Sequence, residues 1–279
     1  PKPGSTSARS VPSRRWAPNR RCACGLCCTT RPSRWSTTVS DAATCRSQIR
    51  ADLSLPPETK LVVSVDRMDY TKGMEERLLT IERTLECWPE TAGPIAFVQV
   101  AAPSRTRIER YREFGDKVRS EVDRLNQRFG RNGYRPVVLF NRHYEPPEVF
   151  RLYRAADICY VSSLHDGMNL VAKEFISARD DERGVLVLSR FTGAARELTE
   201  ALLVNPYDLE GVPDTLRLAL TMSPIEQRDR MRSLRSQVAE FNVYRWAGRM
   251  LLDATRLRQR ERLQVRLAGR TRRRLARTI

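Results

Sequence analysis

Short apolar runs rich in β-branched residues alternate with stretches of helical periodicity from about residue 60 to residue 205. A short apolar run bounded by polar turns is typical of a strand buried on both faces, and apolar residues every three or four positions indicate an amphipathic helix. Strands and helices that alternate in this way favour a parallel sheet covered by helices on both faces. We therefore predict an α/β fold built on a doubly wound parallel sheet.

The pattern predicts six strands and seven helices. The strands are placed at residues 61–65, 95–101, 137–140, 157–161, 185–188 and 201–204. The helices are placed at residues 74–88, 105–129, 145–155, 211–222, 225–241 and 244–267, with one more that begins near Leu170. Because no strand is predicted after residue 204, the last quarter of the chain is expected to add only helices.

The two ends of the chain differ in composition from its middle. The first forty residues or so are rich in Arg, Ser, Pro and Cys, and residues 256–279 carry ten arginines against the single acid Glu261. We predict a low-complexity, disordered segment at 1–51, one ordered domain with carboxyl-terminal helices at 52–255, and a basic tail at 256–279.

The cysteines leave metal binding open at one place. Four of them lie in RCACGLCC, at Cys22, Cys24, Cys27 and Cys28. This cluster could bind zinc, but structural zinc sites usually pair two separated half-sites, and only Cys45 lies nearby. Cys87 and Cys159 fall in a predicted helix and a predicted strand, so we expect both to be small buried residues in a reduced, intracellular protein.

The formal net charge of +17 and the pI near 10.3 suggest a polyanionic partner. The excess arginines lie at the ends, however, and no motif of a nucleic-acid reader is present, so nucleic-acid binding is the less favoured alternative. No stretch is apolar enough to cross a membrane, and the amino end lacks the apolar core of a secretion signal. We expect a cytoplasmic protein with no membrane partner, and the oligomeric state, a homo-oligomer included, stays open.

The first candidate for chemistry is DRMDYTKG at 66–73, the loop after the first predicted strand. It carries Arg67 and Lys72 and ends at Gly73, and loops at the carboxyl ends of parallel strands form the ligand sites of such sheets. Arg as a planar fork and Lys as a mobile charge suit phosphate oxygens. The alternative is surface pairing with the nearby carboxylates of Asp66, Asp69 or Glu75.

The second candidate is VSSLHDGMNLVAKEF at 161–175, which reads as a strand end, a polar loop and a helix start. The amides of residues 167–170 would point at an anion, and the helix dipole would add positive charge. Glu174, about one turn into the helix, is placed to accept two hydrogen bonds from a vicinal diol such as a ribose. The alternatives are that Glu174 pairs with Lys173 or Arg179 and that Asp166 is a plain helix cap.

Two further features stand near these loops. The small, glycine-containing loop at 189–195 should lie beside the second candidate, with structural packing as an equal alternative. His165 is either a general base or an incidental loop residue.

Neither a Walker loop, a dinucleotide fingerprint nor a nucleophile elbow is present. What remains is recognition of a diphosphate and a sugar by cations, amides and carboxylates, without a metal cage.

Several segments resemble one known family. They are VDRMDYTKGMEERL at 65–78, VAAPSR at 100–105, YRAADICYVSSLHDGMNLVAKEF at 153–175, and GVLVLSRFTGAA with LLVNPYD within 184–208. These segments resemble the carboxyl-terminal domain of the trehalose-6-phosphate synthases, glycosyltransferase family 20, which are retaining glucosyltransferases of the two-domain GT-B fold. The likeness runs from about residue 52 to residue 252 and implies a Rossmann-like, donor-binding domain.

The resemblance implies a role for each candidate residue. Arg67 and Lys72 would hold the diphosphate of UDP-glucose and Asp166 the glucose hydroxyls, and these three are the implied catalytic residues. The other implied donor-binding residues are Gly167, Met168, Asn169, Leu170, Val171 near the uracil, and Glu174 on the ribose. The family transfers glucose from UDP-glucose to glucose-6-phosphate, forming trehalose 6-phosphate, without a metal ion, a cofactor or a covalent protein nucleophile. The implied mechanism is a same-face displacement in which the departing phosphate helps to remove the acceptor proton.

One expectation concerns what precedes this domain. The family's amino-terminal domain should precede residue 52, and the roughly fifty residues found there are too few for a second α/β domain. We expect an incomplete, donor-binding half, with activity of the chain alone left open. The alternatives are a relative with another phosphorylated acceptor, such as glycerol-3-phosphate, and a non-catalytic nucleotide-sugar-binding remnant. The preference for UDP over GDP or ADP is also open.

Overall fold

The computed structural model describes residues 39–91 and 94–275, with side chains through residue 264. Its centre is a six-stranded sheet whose strands are all parallel. The strands are β1 (Lys60–Arg67), β2 (Ile95–Ala102), β3 (Val137–Phe140), β4 (Ile158–Val161), β5 (Val185–Ser189) and β6 (Leu202–Val204). Their order across the sheet is β3-β2-β1-β4-β5-β6, so the strand order reverses between β1 and β4.

Helices cover the sheet in the described part of the chain. They are α1 (Ala42–Asp52), α2 (Met74–Cys87), α3 (Glu109–Phe129), α4 (Pro146–Ala155), α5 (Leu170–Ala178), α6 (Gly211–Thr221), α7 (Pro224–Glu240) and α8 (Val243–Leu275). The structure thus has every strand and helix that the periodicity predicts, and it adds α1.

The sheet is buried on both faces because the side chains of each strand alternate between two apolar cores. One core joins Val63 and Val98 to α1, α4, α5 and α7. The other joins Val62 and Phe97 to α2, α3 and α6. Full burial of such a side chain stabilises the folded state by roughly 1.5–3 kcal/mol. Because each strand contributes side chains to both cores, the same strands hold the helices on both faces. The doubly wound parallel sheet predicted from the sequence is confirmed.

The pairing between β1 and β4 ends early. Its paired residues are Val62 with Ile158 and Val63 with Cys159. β1 continues to Arg67 beside β2, which it pairs along its full length. The carboxyl ends of β1 and β4 are therefore not joined by the strand ladder.

Helix α1 corrects the predicted boundary at residue 52. Asp41 caps this helix by accepting a hydrogen bond from Thr44 N at 2.9 Å. Cys45 and Ile49 are buried in the core beside α4. The prediction of a disordered segment is therefore wrong for residues 42–51. Residues 1–38, with the cluster at 22–28, lie outside the described residues.

Helix α8 crosses the other predicted boundary, which rests on composition. It runs without interruption from Val243 to Leu275, so the proposed start of a separate tail at residue 256 falls inside one helix. Every residue from 248 to 264 in it is exposed. The expectation for Cys159 is confirmed, but Cys87 is exposed and the prediction of its burial is wrong. Among the described residues, no helix is both long and apolar enough to span a membrane.

Candidate functional site

Three loops meet at the carboxyl edge of the sheet, where the strand order reverses. We call them the first loop (residues 66–73, after β1), the second loop (residues 162–169, after β4) and the third loop (residues 190–195, after β5). β1 and β4 are neighbours in the sheet although β2 and β3 lie between them in sequence. In open α/β sheets, the crevice at such a reversal is where ligands bind.

The first two loops are in direct contact. Leu164 N donates a hydrogen bond to Thr71 O at 2.9 Å, and Ser162 Oγ lies 2.8 Å from Gly73 O. Gly73 has a φ of +64°, and a Cβ at this position would lie 2.2 Å from Ser162 O. Only glycine therefore permits both the backbone conformation and the close approach of the two loops.

Lys72 and Asp166 form an ion pair across these loops. The distance from Lys72 Nζ to Asp166 Oδ2 is 2.6 Å, and the two side chains are 15% and 17% exposed. Burial alone raises the pKa of the Asp166 carboxyl, but the Lys72 ammonium and nearby N–H donors outweigh it and hold that pKa below its usual value. Asp166 is therefore ionised at neutral pH.

The alternative partners considered for Lys72 are engaged elsewhere. Asp66 binds Arg77, and Asp69 caps the turn at Thr71. Glu75 pairs with Lys117. The carboxylate that Lys72 does contact, Asp166, is itself one of the residues predicted for the site.

Arg67, the last residue of β1, is exposed. Its guanidinium makes no hydrogen bond or ion pair with any residue that the structure describes. The structure thus brings Lys72 and Asp166 together and leaves Arg67 as a cation without a partner in the described chain.

The amino end of α5 follows directly after the second loop. Asn169 is the cap, because its side chain accepts a hydrogen bond from Ala172 N at 2.9 Å, so Asp166 is not the plain cap considered above. Asp166 Oδ1 instead accepts from the amides of Met168 and Asn169, at 3.3 and 3.2 Å. The amides of Leu170 and Val171 have no acceptor within the described chain. A helix end with unpaired N–H groups attracts anions.

Glu174 lies one turn into α5 and is mostly buried. Burial raises the pKa of its carboxyl, and the hydroxyl of Tyr153, 3.5 Å from Oε2, offsets this only in part. Lys173 pairs with Glu197 and Arg179 with Asp181, so neither neutralises Glu174. The site therefore holds a carboxylate whose hydrogen-bonding capacity is largely unused.

The remaining predicted residues of the second loop differ in exposure. Met168 is exposed, and Val171 packs in part against the apolar core. Gly167 borders open space, since a Cβ at this position would meet nothing within 4 Å.

The third loop packs against the second, as the sequence predicts. Gly193 N donates to Asp166 O at 2.9 Å, and Ala194 N donates to Met168 O at 2.8 Å. A Cβ at Gly193 would lie 2.1 Å from Gly167 O. These contacts give the third loop a supporting role that fixes the second loop in place.

Arg77 is the site residue that the sequence analysis missed. Its side chain is 1% exposed and bonds Asp66 Oδ2 at 2.6 Å and Ser162 Oγ at 2.9 Å, so it ties the end of β1 to the end of β4. In the sequence it looks like one more arginine of a charged helix. The available signal was Asp66, because a carboxylate at the end of a buried strand requires a cation.

The sequence of the chain matches one known protein family. The sequence model of Glycosyltransferase family 20 matches residues 38–256. The chain belongs to glycosyltransferase family 20. The resemblance noted in the sequence is therefore confirmed, and the match begins before residue 52, in agreement with the placement of α1 in the domain.

Relatives within this family are close. The chain is 45% identical over 207 residues to the trehalose-6-phosphate synthase of Mycobacterium avium, a match that covers 74% of this chain and 42% of that protein. It is 40% identical over 207 residues to the trehalose-6-phosphate synthase of Salmonella arizonae, covering 74% of this chain and 43% of that protein. The chain thus spans less than half the length of these family 20 relatives.

Solved structures of the family show the same fold. The α,α-trehalose-phosphate synthase (UDP-forming) of Burkholderia xenovorans, in complex with glucose-6-phosphate, matches with a TM-score of 0.72 and 38% identity, over 78% of this chain and 49% of that one. A structure from E. coli bound with UDP-2-fluoro glucose matches with a TM-score of 0.70 and 36% identity, over 76% and 48%. The described domain therefore matches about half of each of these two solved structures.

Proposed function

We propose that the three-loop site binds UDP-glucose and serves a reaction that transfers glucose to glucose-6-phosphate, forming trehalose 6-phosphate. The observation that carries the proposal is the Lys72–Asp166 ion pair beside the amino end of α5, in a family 20 domain whose first loop also carries Arg67. The relative from Burkholderia xenovorans was solved with glucose-6-phosphate, and the one from E. coli with an analogue of UDP-glucose. Both ligands support this assignment.

The charges of the site suit a nucleotide sugar. A diphosphate would accept hydrogen bonds from the guanidinium of Arg67, which has no partner in the described chain. It would share the ammonium group of Lys72 with Asp166. The unpaired amides at the start of α5 would add donors and partial positive charge. Asp166, which is ionised, would accept hydrogen bonds from glucose hydroxyls, and Glu174 would accept two from the ribose.

Catalysis then follows from stabilising the leaving group. The bond between glucose C1 and the diphosphate oxygen breaks, and UDP departs with the electron pair. The acceptor hydroxyl oxygen bonds C1 on the same face and passes its proton to the departing phosphate oxygen. Arg67, Lys72 and the helix end interact more strongly as charge grows on the diphosphate, so they lower the barrier. The proposal assigns no step to a metal ion or to a covalent protein nucleophile.

The test is calorimetric titration of the full chain with UDP and UDP-glucose. We expect Arg67→Ala combined with Lys72→Ala to weaken binding by about 100-fold or more, since truncating a charged contact costs roughly 2–5 kcal/mol. The matched control is Arg135→Ala, because Arg135 is exposed next to the amino end of β3, at the opposite edge of the sheet. Absence of binding by the unmodified chain, or full binding by the double variant, would refute the donor site.

Gly167→Ala separates binding from folding. A methyl group there would meet nothing within 4 Å in the protein, so we expect the thermal midpoint to stay unchanged. The same methyl group would occupy the crevice, so we expect the affinity for UDP-glucose to fall. Unchanged affinity in calorimetry would mean that the donor does not approach the second loop.

A further inference from the structure

A second cleft lies at the amino edge of the sheet, opposite the three-loop site. It is bounded by the starts of β1 and β4, by α1 and by the connection between α6 and α7. Its volume is about 150 Å³, roughly ten times what one water requires. β1 has eight residues, which places the cleft roughly 23 Å from the first loop at about 3.3 Å per residue.

Three cationic side chains line this cleft without a side-chain hydrogen bond to any residue that the structure describes. Arg46 Nη2 and Lys60 Nζ lie 3.7 and 3.8 Å from Asp157 Oδ1, beyond hydrogen-bond distance. Arg46 Nε is buried and has no hydrogen-bond partner among the described residues. The guanidinium of Arg183 makes no ion pair within the described chain. The donors of all three side chains are therefore available to a ligand.

The one carboxylate of the cleft is already engaged. Asp157 Oδ2 accepts hydrogen bonds from Arg50 Nη2 at 2.8 Å and from Leu61 N at 2.9 Å. The acids nearest to Arg183 in sequence are also occupied, Asp181 by Arg179 and Glu182 by Arg232. The lining thus carries a positive excess that these carboxylates do not neutralise.

Two other features of the lining narrow the kind of ligand. Pro224, the first residue of α7, borders the cleft, so the positive end of that helix dipole adds to the field. Leu220 and Met222 form an apolar wall beside the cations. An anionic group attached to a small body would use both parts.

We propose that this cleft binds a small phosphate-bearing ligand. Two guanidinium groups and an ammonium match the oxygens of a phosphate, which accept charge-assisted hydrogen bonds. The ligand's charge would offset the excess of three cations over one carboxylate. The site is separate from the donor site and uses none of its residues.

The first experiment uses inorganic phosphate and the full chain carrying Arg67→Ala and Lys72→Ala, which removes the cations of the proposed donor site. We expect the thermal midpoint to rise with phosphate concentration at constant ionic strength, because a ligand bound only by the folded state stabilises it. Chloride at the same ionic strength is the reference. An equal rise with chloride, or no rise with phosphate, would overturn the proposal.

The second experiment adds Lys60→Gln and Arg183→Gln to that chain. Both side chains are exposed and make no hydrogen bond within the described part of the chain, so the fold should be unaffected. We expect phosphate affinity to fall at least tenfold. The matched control is Arg131→Gln with Arg135→Gln, which removes two exposed arginines elsewhere. An equal loss in this control would show nonspecific attraction and reject the cleft.

A third experiment identifies the source of the phosphate. Phenyl phosphate that binds several-fold more tightly than inorganic phosphate would assign a phosphate monoester whose body contacts Leu220 and Met222. Equal affinities would assign free phosphate to the same site. Because these titrations contain no UDP, a failure of the proposed donor site leaves their outcome unaffected.

Discussion

At the scale of single residues, the charged side chains of the three-loop site differ in how completely they are paired. Arg67 has no partner in the described chain, Lys72 shares its charge with Asp166, and Glu174 is mostly buried beside a single hydroxyl. A buried carboxylate with so little compensation lowers the stability of the folded protein. Such groups concentrate at functional sites, where a ligand supplies the missing partners.

We expect Glu174→Gln to stabilise the ligand-free chain near pH 8. The folded-state pKa of Glu174 is raised by burial, so its charged form opposes folding at pH values above that pKa. The gain should therefore shrink as the pH falls through the raised pKa towards the ordinary value of about 4.3. Denaturant unfolding at a series of pH values measures this.

The matched control for Glu174→Gln is Glu113→Gln, an exposed acid on helix α3. It makes the same substitution at an exposed position and serves as the reference for the effect of burial. A destabilising effect of Glu174→Gln at pH 8 would contradict the raised pKa. Weaker binding of UDP-glucose by the same variant would further support contact between Glu174 and the donor.

At the scale of elements, long-range ion pairs decide which helices dock and how the strand ends are held. Arg50 of α1 reaches Asp157 at the start of β4, and Arg77 of α2 reaches Asp66 and Ser162 at the ends of β1 and β4. Burying a guanidinium is unfavourable unless all its neighbours are in place. These pairs therefore fix the relative positions of elements that are far apart in sequence.

The same pairs mark the limit of what the sequence predicts. The strands were predictable because apolar runs buried on both faces have a local signature, and β3 was placed at its observed bounds. The position of Lys72 and Asp166 at the carboxyl edge of the sheet was predictable because each follows a strand. Helix α1 and Arg77 were not, because their burial depends on carboxylates about ten to a hundred residues away in sequence.

Helix α1 should contribute measurably to stability. Ile49 is 8% exposed and belongs to the core beneath α4. We expect Ile49→Ala to lower the free energy of unfolding by about 2–4 kcal/mol, through lost burial and the cavity that remains. Ser47→Ala on the exposed face of the same helix is the control. A loss under about 0.5 kcal/mol in urea unfolding, as is usual for surface positions, would mean that α1 does not dock.

At the scale of the whole molecule, much of the excess positive charge lies outside the part of the chain that matches the family. The formal net charge is +17, and residues 256–279 contribute ten arginines against one glutamate. The family match ends at residue 256, so all but the first residue of this basic segment lies beyond the part shared with glycosyltransferase family 20. The two edges of the sheet, by contrast, carry small, defined groups of cations. Attraction to polyanions and the proposed recognition of phosphate ligands would therefore involve different parts of the chain.

Removing residues 256–279 should separate these properties. Because every residue from 248 to 264 is exposed, we expect the thermal midpoint and the affinity for UDP-glucose to stay unchanged. Retention on heparin and on DNA should fall to a much lower salt concentration, since binding through many arginines depends steeply on salt. A drop in the thermal midpoint would show that the segment packs on the domain. Undiminished retention would instead place the polyanion-binding surface on the domain itself, where the cations of the two sheet edges would be the first to replace.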